Sequence, residues 1–425
     1  IDFMAGTGYQ DFLFTTYNYA DYRYDKSERP NTQPQFATSP AQYTLISYYG
    51  RLNYTLANKY VLTANLRTDG SSRFSKENRW GVFPSVAFAW RVSNEDFLKS
   101  SKVISDLKFR VGWGITGQQD GIDFYGYLPR YAISNDQAQY QLGSEFLNMY
   151  RPAAYDPNLT WETTRSINAA VDFGLYDNRI TGSLDVFNRK TEDLLSVVPI
   201  ALGTNFSNQL LTNVGNIQSN GVEFTLNAQP VRNKNVTWDV GFNFTYLKPK
   251  ITNLLLNPDP SFKGNRVGGI AGGTGNTIQI HSVDNRPYTF FVHKQIYDQS
   301  GAPIEGLYED LNRDGVINDN DLYRYKSPDP RVFMGLNSNV AWGRWNAGFV
   351  ARISIGNYNY NNIESNLGVL RCFAVHRHDR HTLRRGGAHV GGVDQTSVER
   401  DPRTLAGGTG VVDDQPAGAA EHERR

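Results

Sequence analysis

Residues 310–321 read "DLNRDGVINDND", a run of oxygen-bearing side chains at the spacing of a calcium loop. Such a loop draws ligands from positions 1, 3, 5, 7, 9 and 12 and needs glycine at position 6 for its turn. Those positions are Asp310, Asn312, Asp314, the Val316 carbonyl, Asn318 and Asp321, with Gly315 sixth. The expected ligand is Ca2+, held structurally, because hard carboxylate and carbonyl oxygens suit it. Asp321 stands where glutamate is usual. Its shorter side chain reaches less easily as a bidentate ligand, which fits a permanent site better than a switch. Ile317, at position 8, is expected to pack inward. The flanks "IEGLYED" and "LYRYKSPDP" carry Gly and Pro and do not read as helices. The loop is therefore expected in a long connection rather than in a helix–loop–helix sensor. The bland alternative is an Asx-rich turn without an ion.

Other chemistry-bearing residues are sparse. "GGIAGGTGNT" (268–277) lacks the Lys-Ser/Thr ending and strand–helix setting of a phosphate loop, and reads as a flexible outer loop. Before residue 371 the histidines are His281 and His293, and neither lies in a nucleophile motif. No catalytic residue and no cofactor-binding residue is assigned, and the protein does not read as an enzyme. Tyr125, Tyr127, Tyr131 and Tyr140 could stack sugars or simply pack a surface, and are not assigned.

The elements that position the loop are strands. The chain has 425 residues, a formal net charge of +1, and 25 Tyr, 23 Phe and 7 Trp. A near-zero charge argues against a nucleic-acid partner, which needs a basic face. High aromatic content with a mean hydropathy of −0.51 fits β-structure with one wet face. No apolar run reaches the 18 or so residues of a transmembrane helix, which leaves barrel strands open.

Alternation is clearest in residues 160–190. Ile167, Ala169, Val171, Phe173 and Leu175 share one face; Asn168, Ala170, Asp172 and Gly174 share the other. After a turn at Asp177-Asn178, the apolar face resumes with Ile180, Gly182, Leu184 and Val186. The same pattern recurs in 107–116, 222–246 and 345–355. Many runs reach about ten residues, enough for a tilted strand to cross a bilayer. Very short turns (57–59, 177–178, 233–235) alternate with long connections (118–158, 190–215, 248–330). That asymmetry is the mark of an outer-membrane barrel. Trp161, Tyr176, Trp238, Tyr246, Trp342 and Trp345 are expected in its interfacial aromatic girdles, and the polar face is expected to line a wet lumen or meet a plug.

Several segments, in order, resemble the SusC/RagA-type TonB-dependent outer-membrane transporters of Bacteroidetes. They are "RTDGSSRFSKENRWGVFPSVAFAWRVSNEDFL" (67–98), "DLKFRVGWGITGQQDGIDFYGY" (106–127), "DPNLTWETT" (156–164), "NVGNIQSNGVEFTLNAQPV" (213–231), "DLNRDGVINDNDLYRY" (310–325) and "SPDPRVFMGLNSNVAWGRWNAGF" (327–349). The resemblance covers about residues 40–370. It implies an all-β fold, an antiparallel transmembrane β-barrel in the bacterial outer membrane, of about 22 strands in the family. At roughly 25 residues per strand, residues 1–370 would supply about 14 of them, a partial barrel without the plug. The resemblance further implies uptake of oligosaccharides or peptides, energy from the TonB complex through the plug region, a SusD-type surface lipoprotein partner, and contact with the lipid bilayer. The rival expectation is a secreted soluble β protein with a calcium loop, carbohydrate-binding or adhesive.

The expected organisation is a partial barrel strand and outer loop in 1–40, barrel strands with long extracellular loops in 41–370, and an aberrant tail in 371–425. The tail contains no Tyr, Trp, Asn, Ile or Lys, yet holds the lone Cys372 and five of the seven histidines. An out-of-frame translation or a disordered segment is expected there; a Cys372/His376/His378/His381 metal site lacks a paired C-x-x-C. "IDFMAGTGYQDF" at the start lacks the features of a signal peptide, so a processed terminus or a fragment is expected, and a chain lacking family strands at both ends is not expected to work as a transporter by itself.

Overall fold

Eleven long strands follow one another as neighbours in one antiparallel sheet of a computed structural model. The structure describes residues 1–362 except 30, 31, 33, 35, 135–138, 201, 202, 204 and 271–275. The tail at 371–425, with Cys372, His376, His378 and His381, and the centre of the glycine-rich segment at 268–277 therefore lie outside the described residues.

The strands are β1 (Asp2–Tyr17), β2 (Thr38–Leu56), β3 (Tyr60–Ser71), β4 (Trp80–Arg91), β5 (Ile104–Gln118), β6 (Glu162–Leu175), β7 (Ile180–Pro199), β8 (Gln209–Arg232), β9 (Val236–Asn253), β10 (Val332–Trp342) and β11 (Trp345–Ile355). They contain from 11 to 24 residues. A tilted strand needs about 9–11 to cross the hydrocarbon core. The chain divides into two compact units. One comprises residues 1–292 and 323–357 and holds this sheet; the other includes residues 293–322. No helix among the described residues is long and apolar enough to cross a membrane.

The register places one kind of side chain on each face. Tyr54, Leu62, Phe88, Val111, Ala169, Val186, Val222, Tyr246, Val332 and Ile355 form a continuous cross-strand row from β2 to β11. A parallel row runs through Trp90, Phe109, Val171, Leu184, Phe224, Phe244, Met334 and Ile353. The opposite face carries Lys108, Asp172, Ser183, Thr225, Asn243, Gly335 and Arg352. The apolar face is the exposed one: Phe88 is 40%, Val111 46% and Val186 46% exposed. Keeping one such side chain in water costs about 1.5–3 kcal/mol relative to an apolar medium. Two rows of them are stable only against hydrocarbon, so the apolar face is the lipid face and the polar face looks inward.

Among the described residues the sheet holds eleven strands, against the expected 14 or so. The uniform 25-residue repeat fails because residues 119–161 and 254–331 are connections carrying short hairpins of their own. The expected connection 190–215 is also shorter. β7 and β8 stay paired through Leu194–Pro199 and Gln209–Gly215, beyond a register shift between Thr191 and Leu194. The bulge breaks the period-two pattern, which hides the outer half of both strands from the sequence. The tight turns lie where expected: Ala57 and Asn58, and Tyr176, Asp177 and Asn178, take left-handed backbone. Among the described residues β1 and β11 each pair with a single neighbour in the sheet.

Candidate functional site

The inward face carries a charge network at the middle of the sheet. Arg110 grips Asp172 with two parallel hydrogen bonds of 2.8 Å and reaches Asp185 at 3.3 Å; Lys108 meets Asp172 at 2.7 Å. Alternation placed Arg110 and Asp172 on the polar face. It put Asp185, between Leu184 and Val186, on that face too, but gave no sign that it meets Arg110, 75 residues away, a contact made only through the β5–β6–β7 register.

At the long-loop end, the quoted segments 67–98, 106–127, 156–164 and 213–231 converge. Phe74, Phe83, Ile122, Leu159 and Trp161 form a buried cluster. Trp161 packs on Phe74 and Phe83 with ring centroids 4.9 and 5.5 Å away, and its indole N–H donates to the Arg79 carbonyl at 3.1 Å. Arg73 lies over the Tyr43 and Phe124 rings, at 4.1 and 4.8 Å, and donates to the Ile122 carbonyl at 3.1 Å. Asn213 exchanges hydrogen bonds of 2.9 Å with the Thr160 backbone, and Glu162 accepts from the Leu195 amide at 2.8 Å. Trp161 is therefore a core residue, 6% exposed, and not part of a girdle. Trp342 and Trp345, directly paired at the β10–β11 turn, are 64% and 78% exposed and suit an interface. Arg73 falls within the quoted motif at 67–98, but it lies outside any alternating run, so the sequence did not show that it meets Tyr43 and Phe124.

The calcium-type loop belongs to the unit that includes residues 293–322, and is described within it. It is entered from the hairpin Gln295–Tyr297/Pro303–Tyr308, so the non-helical flank expected there is observed. Gly315 takes left-handed backbone at φ 83° and makes the turn. Asp310 accepts from the Gly315 amide at 2.7 Å and the Asp314 amide at 3.3 Å. Asn312 accepts from the Asp314 amide at 3.0 Å, and Asp314 from the Val316 amide at 2.8 Å. The Val316 carbonyl accepts from the Asn318 side chain at 3.3 Å. Asp321 is fully buried and accepts from the Asn318, Leu311 and Asn312 amides at 2.8, 2.9 and 3.4 Å. Those amides hold its carboxyl below the ordinary value, with Asn318 first. Asp321 thereby ties the end of the loop to its start. Ile317 is 43% exposed, so the inward packing expected of it is not observed. Among the described residues no three His, Cys, Asp or Glu side chains form a metal cluster. The donor set still suits Ca2+: it is all oxygen, it includes Asn and main-chain donors, and each carboxylate keeps unused lone pairs.

The family described as "TonB dependent receptor-like, beta-barrel" matches residues 2–369. The chain belongs to the TonB-dependent receptor β-barrel family. This TonB-dependent receptor barrel is 45% identical over 323 residues to the TonB-dependent receptor SusC of Bacteroides thetaiotaomicron, covering 76% of this chain and 32% of that protein. It is 31% identical to TonB-dependent receptor P3 of Formosa agariphila, covering 78% and 34%. Among solved structures it is similar to the RagAB peptide importer in its open-open state, with a TM-score of 0.68, 21% identity, and coverage of 85% of this chain and 39% of that one. The last likeness concerns the fold. The chain spans about a third of the length of the curated relatives it matches. Membership of this family places this TonB-dependent receptor barrel in the bacterial outer membrane.

Proposed function

We propose that the chain forms wall strands of a TonB-dependent importer that takes up oligosaccharides or peptides across the outer membrane. The observation that carries this reading is the opposition of two faces: an unbroken apolar row over ten strands outside, and a charged and polar wall inside. Energy from a TonB complex and a SusD-type lipoprotein on the outer face complete the proposal; the names of its relatives, SusC and the RagAB peptide importer, support both. Unpaired strand edges are not tolerated in hydrocarbon, so the sheet belongs to a larger closed barrel. A secreted soluble module is disfavoured by the lipid-type face. Cells carrying the full-length receptor are expected to accumulate labelled oligosaccharide or peptide, and to stop when TonB is removed. Recovery of the parent protein in the soluble fraction without detergent would sink the reading.

We also propose that residues 310–321 hold one structural Ca2+ through Asp310, Asn312, Asp314, the Val316 carbonyl, Asn318 and Asp321. The ion would supply charge neutralisation and cross-link the loop. The full-length receptor is expected to release heat on calcium titration, and Asp310→Ala and Asp314→Ala to abolish it. An unchanged calorimetric response in both variants leaves an Asx-rich turn.

A further inference from the structure

We propose that the outward face of β6–β9 holds the phosphate of a phosphorylated glycolipid of the outer leaflet. The site belongs to the outside of the wall, whatever cargo passes within. Register assembles it. Arg165 on β6 is directly opposite Lys190 on β7, Lys190 is opposite Gln218 on β8, and Gln218 is opposite Lys250 on β9. The next same-face row toward the tight turns runs Ile167, Asn188, Asn220 and Lys248. The row after that, Ala169, Val186, Val222 and Tyr246, belongs to the apolar lipid face. Charge therefore begins immediately above the apolar band, on the side that meets lipid. Each of these four strands is flanked on both sides in the sheet.

The height of the cations fits the outer border of the hydrocarbon. Arg165 is ten residues from Leu175 and Lys190 ten from Ile180, at the two ends of a tight turn; Lys248 is ten from Trp238. A strand that rises about 3.4 Å per residue and tilts by about 40° climbs about 26 Å over that length, close to the height of the apolar band. Tight turns are periplasmic in such barrels, so the cations reach the outer leaflet. The patch is local: toward the long-loop ends of β3–β5 the same face carries Leu66, Val82 and Trp113.

Like charges directly opposite each other destabilise a strand pair, yet Arg165 and Lys190 are placed so. Lys190 meets Glu192 at 2.6 Å, and that one carboxylate also serves Arg165 electrostatically. Lys250 meets Asp284 at 2.7 Å. Arg165 and Lys248 form no ion pair or hydrogen bond among the described residues. With Asp193 beside Glu192 in the bulge, four cations stand against three carboxylates. A phosphomonoester brings about −1.5 to −2 charges and three acceptor oxygens, which this border lacks. Long basic side chains reach from apolar surface into the headgroup layer, and the arginine fork matches phosphate oxygens in pairs. Asn188 donates to Asn220 Oδ1, which fixes the Asn220 amide and leaves its N–H groups to donate. Below them Ile167, Leu184 and Val186 are exposed and offer acyl chains an apolar wall. A free anion has no use for that wall, whereas a glycolipid occupies both parts.

The test uses the full-length receptor in detergent, with bound lipid counted by native mass spectrometry. The probes are bisphosphorylated lipid A, the same lipid A stripped of phosphate, and inorganic phosphate. The phosphorylated lipid is expected to bind about thirtyfold more tightly than the stripped one, about fivefold for each of Arg165 and Lys248. Arg165→Gln combined with Lys248→Gln is expected to remove that preference while binding of the stripped lipid stays unchanged. Heat-dependent mobility on gels reports folding of each variant. Lys234→Gln, at the tight turn between β8 and β9, is expected to keep the preference in full. Equal binding of the two lipids, a double variant that retains the preference, or an equal loss in Lys234→Gln overturns the site. Complete displacement of the lipid by inorganic phosphate overturns the glycolipid assignment.

Discussion

The Lys59 ammonium donates to the Glu95 carboxylate at 2.7 Å, joining the β2–β3 turn to the segment that follows β4. Tyr60 O–H and Trp90 Nε1–H donate to the other carboxylate oxygen at 2.9 and 3.1 Å. The Lys59, Trp90 and Tyr60 hydrogen bonds hold Glu95 at about 2, against an ordinary value of 4.5. A depressed folded-state value means that the contact contributes its full stability above pH 4.5 and loses it as pH falls toward 2. Unfolding in detergent, followed from pH 7 to pH 2, should show wild type more stable than Glu95→Gln at neutral pH. The gap should close between about pH 4.5 and 2. A gap that stays constant over that window would contradict the assignment.

Val186 and Thr225 lie on adjacent strands and on opposite faces. Val186→Arg should cost about 2–4 kcal/mol if it sits near the bilayer midplane, whereas an inward Thr225→Arg should cost far less. Outer-membrane abundance and stability in lipid vesicles of the two variants check this. Equal tolerance would mean that the faces are misassigned.

Trp161 joins the segment before β6 to the loops after β3 and β5. Trp161→Ala should destabilise by about 3–5 kcal/mol, because a cavity and a lost indole hydrogen bond combine. Limited proteolysis should then cut first within residues 119–161. A cleavage pattern like that of wild type would show that the cluster does not secure this connection.

Strand identity was legible from residues such as Ile167–Leu175 because a strand that separates lipid from a polar interior must alternate, and alternation survives in one dimension. The Asp177-Asn178 turn was legible for a related reason: those residue types tolerate left-handed backbone. The outer halves of β7 and β8 were not, because one bulge after Thr191 shifts the phase of the pattern. The turn at Gly315 was readable, because a left-handed backbone there calls for glycine. The exposed Ile317 was not, since burial depends on what the fold brings beside it.

The sequence by itself determined the class of structure, the family, the two chemically distinct faces and the order of turns, because these follow from local residue type and period. Only the tertiary structure decided which polar residues meet. The partnerships of Arg110 with Asp185, Trp161 with Phe74, and Arg73 with Tyr43 and Phe124 join segments far apart in the chain. They depend on strand register, where a slip of one residue would send each side chain to the opposite face.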